Sequence, residues 1–167
     1  ITTTEQRSNL LEFFNYYSAF LTIPGIIVLL IALLPIKRKR NQFYICSIAA
    51  IVGLSVVLIL RPGDSNVATE AEAQVVITSG SPVFVEFFSN SCTACLASQP
   101  IVRSLEGELD DDVQILKLNV MDSMASQLIR DYGAYLTPTF VVIGRDGEIV
   151  WRQSGGLLDK GEALEAA

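Results

Sequence analysis

The chain has 167 residues, half of them apolar, and a formal net charge of −6. This length leaves room for about one globular domain plus additional segments, and the apolar share exceeds that of an ordinary soluble domain. Three cysteines and no histidine are too few ligands for the usual four-coordinate zinc site, so we expect no metal. The negative charge argues against nucleic acid as a partner, because it would repel phosphate.

Two long uncharged stretches lie near the N-terminus. Residues 13–36 and 41–60 contain 24 and 20 consecutive residues without a charged side chain. Each is long enough to cross a bilayer core of about 30 Å as a helix. We therefore predict a transmembrane hairpin over residues 1–63, with helices at about 13–36 and 42–60. The chain opens with Ile1, so further residues are expected upstream.

The short connection between these helices is strongly basic. Residues 37–40 are Lys-Arg-Lys-Arg, and the positive-inside bias places such a loop in the cytoplasm. Residues 1–63 carry net charge +4 and residues 64–167 carry net charge −10. The N-terminus and everything after Arg61 are therefore expected on the outer, periplasmic or lumenal, side of a cell or inner membrane.

The rest of the chain alternates between strand and helix patterns. Residues 64–74 are small and polar, as in a linker, and residues 75–167 form the predicted domain. Its pattern predicts an α/β fold with a central mixed sheet covered by helices on both faces. The predicted strands are Val83–Phe88, Val113–Asn119, Thr139–Ile143 and Glu148–Arg152, and the predicted helices are Thr93–Leu109, Asp122–Tyr132 and one starting near Leu157.

A pair of cysteines carries most of the functional information. Cys92 and Cys95 follow the first buried strand and open the first helix of the domain. At a helix N-terminus a thiolate meets free backbone N–H groups and the positive end of the helix dipole, so Cys92 is expected to be acidic and exposed. Cys95 lies one turn later, where it can resolve a mixed disulfide formed at Cys92. The pair predicts a redox-active disulfide that needs no other cofactor.

Other interpretations of the cysteines remain open. The pair could form half of a metal site, or a structural disulfide without turnover. Cys46 falls near the cytoplasmic end of the second predicted membrane helix. It is either a small apolar filler or a lipidation site.

The domain resembles the thioredoxin superfamily. Five features occur in the order found in that family: an acidic residue six positions before the first cysteine, a proline five positions after the second, a lysine in the next strand, a Thr-Pro turn that resembles the family's cis-proline turn, and a glycine after the last strand. They are Glu86, Pro100, Lys117, Thr137-Pro138 and Gly155. The resemblance covers roughly residues 75–167.

The resemblance implies roles for these residues. Glu86 would be a buried acid that accepts or returns the proton of Cys95, and Lys117 would temper its pKa. Thr137 and Pro138 would face the cysteines and hold the backbone of the target. Ser91 and Thr93, beside the first cysteine, are further candidates for target contacts. Ser91 stands where thioredoxins usually have tryptophan, and Thr93-Ala94 replaces their frequent Gly-Pro.

Two functions are expected from these observations. The first is a membrane-anchored thiol–disulfide oxidoreductase with its thioredoxin-like domain outside the cytoplasm, exchanging disulfides with envelope proteins and served by a membrane electron donor. The second is an accessory or scaffolding subunit of a larger respiratory or photosynthetic membrane complex, with a thioredoxin-like docking domain. Small residues along the second helix, such as Ala49, Ala50 and Gly53, favour close contact with other membrane helices.

Overall fold

A four-stranded mixed sheet forms the centre of the domain. The computed structural model describes residues 11–33 and 39–167. The strand order is β2-β1-β3-β4, with β1 parallel to β2 and antiparallel to β3, and β3 antiparallel to β4. The strands are β1 (Val83–Phe88), β2 (Gln114–Asn119), β3 (Thr139–Ile143) and β4 (Ile149–Ser154).

Helices cover both faces of this sheet, which confirms the predicted architecture. The helices are α1 (Ser18–Leu33), α2 (Lys39–Leu60), α3 (Glu70–Ile77), α4 (Thr93–Glu106), α5 (Ser126–Asp131) and α6 (Lys160–Ala166). One core joins the sheet to α3 and α5, and a second joins it to α4 and α6.

Strand β1 determines where the functional side chains lie. All six of its residues are buried, and successive side chains of a strand point to opposite faces. Val85 and Phe87 enter the core beneath α3 and α5, whereas Phe84 enters the core beneath α4 and α6. By the same alternation Glu86 lies on the α4 side of the sheet.

Several element boundaries differ from the sequence-based expectation. Helix α4 ends at Glu106, with Gly107 as its C-cap. The helix predicted at 122–132 begins instead with a 3₁₀ turn, Ser123–Ala125, followed by α5. Helix α6 begins at Lys160 because the side chain of Asp159 caps it, accepting a hydrogen bond from the backbone N–H of Glu162 at 3.1 Å.

The segment predicted as a linker, residues 64–74, is folded against the sheet. The Asn66 side chain accepts from the backbone N–H of Lys117 at 2.8 Å and donates to the carbonyl of Ile115 at 2.7 Å. Helix α3 starts within this segment, with Thr69 as its N-cap. This segment therefore contacts the domain directly, since Asn66 bonds the edge strand β2 and α3 begins at Glu70.

Helix α2 is tied to the domain at its C-terminal end. Arg103 of α4 donates to the carbonyl of Ile59 at 3.2 Å. The Asn90 side chain donates to the carbonyl of Gly63 at 2.7 Å and accepts from its N–H at 3.0 Å. The last turn of α2 is thus bonded to α4, and Gly63, just after α2, is bonded to the loop before Cys92.

The N-terminal helices only partly match the predicted hairpin. Residues 11–16 are helical ahead of α1, and α2 starts at Lys39, within the predicted basic loop. Residues 34–38 lie outside the described part of the chain. Across residues 11–33 and 39–167, no helix combines the length and the apolar character needed to cross a bilayer.

Candidate functional site: the Cys92 and Cys95 dithiol

The two cysteines occupy the first turn of α4. Cys92 is the N-cap residue, and its Sγ accepts a hydrogen bond from the backbone N–H of Cys95 at 3.3 Å. Sulfur thus takes the position that a serine or aspartate oxygen usually occupies at a helix start. Both sulfurs are present as free thiols. The pair is placed at the helix terminus, as its spacing predicts.

The two thiols have opposite electrostatic environments. A hydrogen bond from the Cys95 side chain is the largest of the effects that lower the pKa of Cys92 to about 6, and hydrogen bonds from backbone N–H groups add to it. Burial raises the pKa of Cys95, and the neighbouring Cys92 sulfur raises it further. Near neutral pH Cys92 is therefore the nucleophile, while Cys95 keeps its proton.

Thr137 lies directly opposite Cys92. The Cys92 thiol donates to the carbonyl of Thr137 at 3.3 Å, which brings together two predicted site residues 45 positions apart. The Thr137–Pro138 peptide bond is cis, as the resemblance implies. Strand β3 starts at Thr139, directly after Pro138, so the sheet fixes the position of Thr137.

Glu86 is a buried carboxyl beneath α4. Its side chain is fully inaccessible, and burial raises its pKa to about 7, with Lys117 acting in the opposite direction. Oε1 accepts from Gln99 Nε2 at 3.0 Å, whereas Oε2 has no hydrogen-bond partner among residues 11–33 and 39–167. An acid with this pKa can hold or release a proton near neutral pH.

Lys117 lies close to Glu86 but also forms an ion pair with a second acid, Glu106. Its Nζ lies 3.6 Å from Glu86 Oε2 and 3.1 Å from Glu106 Oε1. Pairing with Glu106 at the end of α4 holds the ammonium group near the protein surface. Lys117 therefore offsets only part of the cost of charging Glu86.

Sequence reasoning missed Gln99, which positions Glu86. Gln99 is buried and follows Cys95 by one helical turn, so both residues lie on the face of α4 that meets the sheet. The available signal in the sequence was a glutamine four residues after Cys95, on the helix face predicted to be buried, since a buried amide requires a hydrogen-bond partner.

The prediction that Cys92 is exposed is wrong for this structure. Cys92 and Cys95 are both inaccessible to solvent. The cause is residues 15–22, here called the N-terminal cover, which cross the loop that carries the cysteines. Ser18 Oγ accepts from the backbone N–H of Thr93 at 2.9 Å, and the carbonyl of Ser91 accepts from the N–H of Ala19 at 2.9 Å. These two predicted target-contact residues are thus occupied by the chain itself.

Comparisons with known proteins agree with this geometry. The thioredoxin family matches residues 65–166. Thioredoxin of Rickettsia bellii is 30% identical over 84 residues, covering 50% of this chain and 77% of that protein. Thioredoxin of Rickettsia prowazekii is 29% identical over 99 residues, covering 57% and 92%. The structure of thioredoxin f from spinach chloroplast superposes with a TM-score of 0.51 at 25% identity, covering 59% of this chain and 82% of that one.

Proposed function

This chain belongs to the thioredoxin family of thiol–disulfide oxidoreductases, and we propose that it exchanges disulfides with protein targets outside the cytoplasm while attached to a membrane. The observation that carries the chemistry is the Cys92 sulfur at the start of α4, where the Cys95 N–H donates to it at 3.3 Å. Donors aimed at sulfur stabilise the thiolate, which is the reactive form. The redox group is the dithiol itself, without a cofactor.

In the reducing direction, the proposed reaction has two steps. The Cys92 thiolate attacks one sulfur of a target disulfide, forming a mixed disulfide and releasing the other target sulfur as a thiolate. Cys95 then loses its proton and attacks Cys92, which closes the Cys92–Cys95 disulfide and frees the second target sulfur. The target gains two electrons and, after protonation, carries two thiols. The reverse sequence oxidises a target.

Glu86 is the proposed acceptor of the Cys95 proton. Cys95 holds its proton tightly because it is buried, so the second step requires a base. Glu86 has a pKa of about 7, and its Oε2 has no hydrogen-bond partner among the described residues. It lies under the same helix, joined to it through Gln99. Lys117 would stabilise the carboxylate before the transfer.

A trapping experiment tests whether proteins are the targets. Cys95→Ser removes the resolving sulfur, so Cys92 should remain linked to its target as a mixed disulfide. We expect covalent complexes on non-reducing gels of cells that express the full chain, and their loss when reductant is added. Cys46→Ser, made in the same background, should leave the complexes unchanged. Absence of complexes, or their persistence when Cys92 is also replaced by serine, would contradict the proposal.

Two features support membrane attachment. The uncharged stretches 13–36 and 41–60 are unusually long. Large apolar side chains on α2 are also exposed, including Ile48, Ile51 and Leu54, each more than 60% accessible. Soluble monomers rarely expose apolar surface of this extent. The acidic remainder of the chain would then face away from anionic lipid.

Membrane attachment predicts a clear fractionation result. The full chain should sediment with membranes and resist an alkaline carbonate wash, and external protease should reach its domain in spheroplasts. Replacing two exposed α2 residues together, Ile51→Glu and Leu54→Glu, should release the protein because charge is costly in an apolar phase. Val150→Glu, at an exposed apolar position on β4, is the matched control. Release of the unmodified chain by the wash would refute attachment.

The burial of Cys92 favours a second candidate function, an accessory subunit of a larger membrane complex. A dithiol with no accessible sulfur is compatible with a docking domain. That function predicts stoichiometric co-purification in mild detergent, unaffected by loss of Cys92 and Cys95, and no trapped complexes with Cys95→Ser. Trapped complexes favour the oxidoreductase.

A further inference from the structure

Asn15 binds Thr137 as a target backbone would. Asn15 Oδ1 accepts from the Thr137 N–H at 2.7 Å, and Asn15 Nδ2 donates to the Thr137 carbonyl at 3.0 Å. A side-chain amide thus forms the two hydrogen bonds that a peptide group exchanges with its partner in an antiparallel ladder. Thr137 Oγ1 also donates to Asn15 Oδ1, at 2.8 Å. The N–H and the carbonyl of Thr137 are therefore already paired with Asn15, so an incoming strand must displace Asn15 to form this ladder.

The remaining contacts of the N-terminal cover lie on the side of Cys92 away from Thr137, at Ser89 and Thr93. Ser18 accepts from the N–H of Thr93, the first residue of α4, a donor that is otherwise free at a helix start. The hydroxyls of Thr22 and Thr93 lie 3.0 Å apart. The carbonyl of Tyr16 accepts from Ser89 Oγ at 3.0 Å. The cover therefore contacts the domain on both sides of the sulfur.

The contacts of the cover are mainly polar. Among its described side chains only Ala19 is buried. A cavity of about 400 Å³ with mostly apolar walls lies between α1, α2 and the loop at Asn90 and Ser91. Hydrogen bonds that water or a target can replace contribute little net free energy each. Because little apolar surface is buried, the cover can be displaced without opening the core.

We propose that the N-terminal cover, residues 15–22, is an intramolecular ligand of the target-binding groove, here the surface around Cys92 formed by Ser91, Thr93 and Thr137. A target must displace the cover to reach Cys92. The proposal rests on the proposed function, since it assumes that the groove at Thr137 receives targets. Asn15 holds the Thr137 end of the groove, and Ser18 and Ala19 hold the Ser91 and Thr93 side.

Alkylation of Cys92 by iodoacetamide measures this closure without any target. The reaction is run on the reduced full chain about two pH units above the Cys92 pKa, so that the sulfur is ionised in every variant, and the modified cysteine is identified by mass spectrometry. Asn15→Ala removes three hydrogen bonds to Thr137 and should speed alkylation about tenfold, as hydrogen bonds of ordinary strength imply. Ser18→Ala should act in the same direction.

Asn66→Ala is the matched control. Asn66 also bonds a strand through its side-chain amide, but at the far edge of the sheet, so its loss should leave the alkylation rate unchanged. Equal rates in the unmodified chain, Asn15→Ala and Ser18→Ala would overturn the proposal. Equal acceleration by Asn66→Ala would do the same, because it would indicate general loosening.

This result is separable from the proposed function. If Cys95→Ser traps targets but Asn15→Ala does not speed alkylation, the oxidoreductase function stands and the closure is refuted. If alkylation accelerates but nothing is trapped, the closure is supported and the assignment of protein targets fails.

Discussion

Replacing Cys92 with serine should lower disulfide reductase activity of the full chain by about a thousandfold or more, because a serine hydroxyl does not ionise near neutral pH and is a far weaker nucleophile. The variant keeps the helix cap, since serine is a preferred N-cap residue, so the fold should survive. The measurement is reduction of a protein disulfide under excess dithiothreitol, compared with the uncatalysed rate.

Cys46→Ser is the control for this loss. Cys46 lies on α2, away from the dithiol, and is also a free thiol. Its replacement should leave the rate unchanged. If Cys92→Ser retained activity while Cys46→Ser lost it, the dithiol would not be the reactive group.

Glu86→Gln should remove a pH-dependent loss of stability. The pKa of Glu86 is raised to about 7 in the folded protein, above its value in the unfolded chain. Between pH 4.5 and 7 the folded state therefore binds the extra proton, and the free energy of unfolding falls as pH rises through this window. Above pH 7 the full penalty applies, about 3 kcal/mol from the size of the shift. Glutamine can still accept from Gln99, so the variant should lack this dependence.

Denaturant unfolding of the reduced protein at pH 4 and pH 8 checks this prediction. The stability difference between Glu86→Gln and the unmodified chain should grow in favour of the variant by about 3 kcal/mol over that range. Glu108→Gln is the control: Glu108 is exposed and Lys160 lowers its pKa, so its effect has the opposite sign. A pH-independent difference for Glu86→Gln would show that Glu86 is not held neutral.

Local patterns in the sequence were sufficient for the sheet and for the dithiol position. Val83–Phe88 is a continuous apolar run interrupted only by Glu86, which is typical of a strand buried on both faces. The cysteines follow it at the spacing of one helical turn. The resemblance to thioredoxins then connected Thr137 to Cys92 across 45 residues, a contact that no local pattern contains.

The covering of Cys92 could not be predicted by the same reasoning. The apolar composition of residues 13–36 dominated their interpretation, while the functional contacts come from the few polar side chains among them. Asn15, Ser18 and Thr22 recur at spacings of three and four, which places them on one helical face. That periodicity was a signal, but it does not identify the surface that the face contacts. Gln99 was missed for a similar reason, because its partner lies in another element.

The bonds from Arg103 to Ile59 and from Asn90 to Gly63 have a consequence for how the sulfur meets other molecules. They attach the active-site helix to the last turn of α2 and the loop ahead of it to Gly63, just after α2. The dithiol is therefore held at a restricted position relative to α2. The distance between the dithiol and α2 is set by these few bonds. A redox partner must therefore present its own sulfur at that distance from α2.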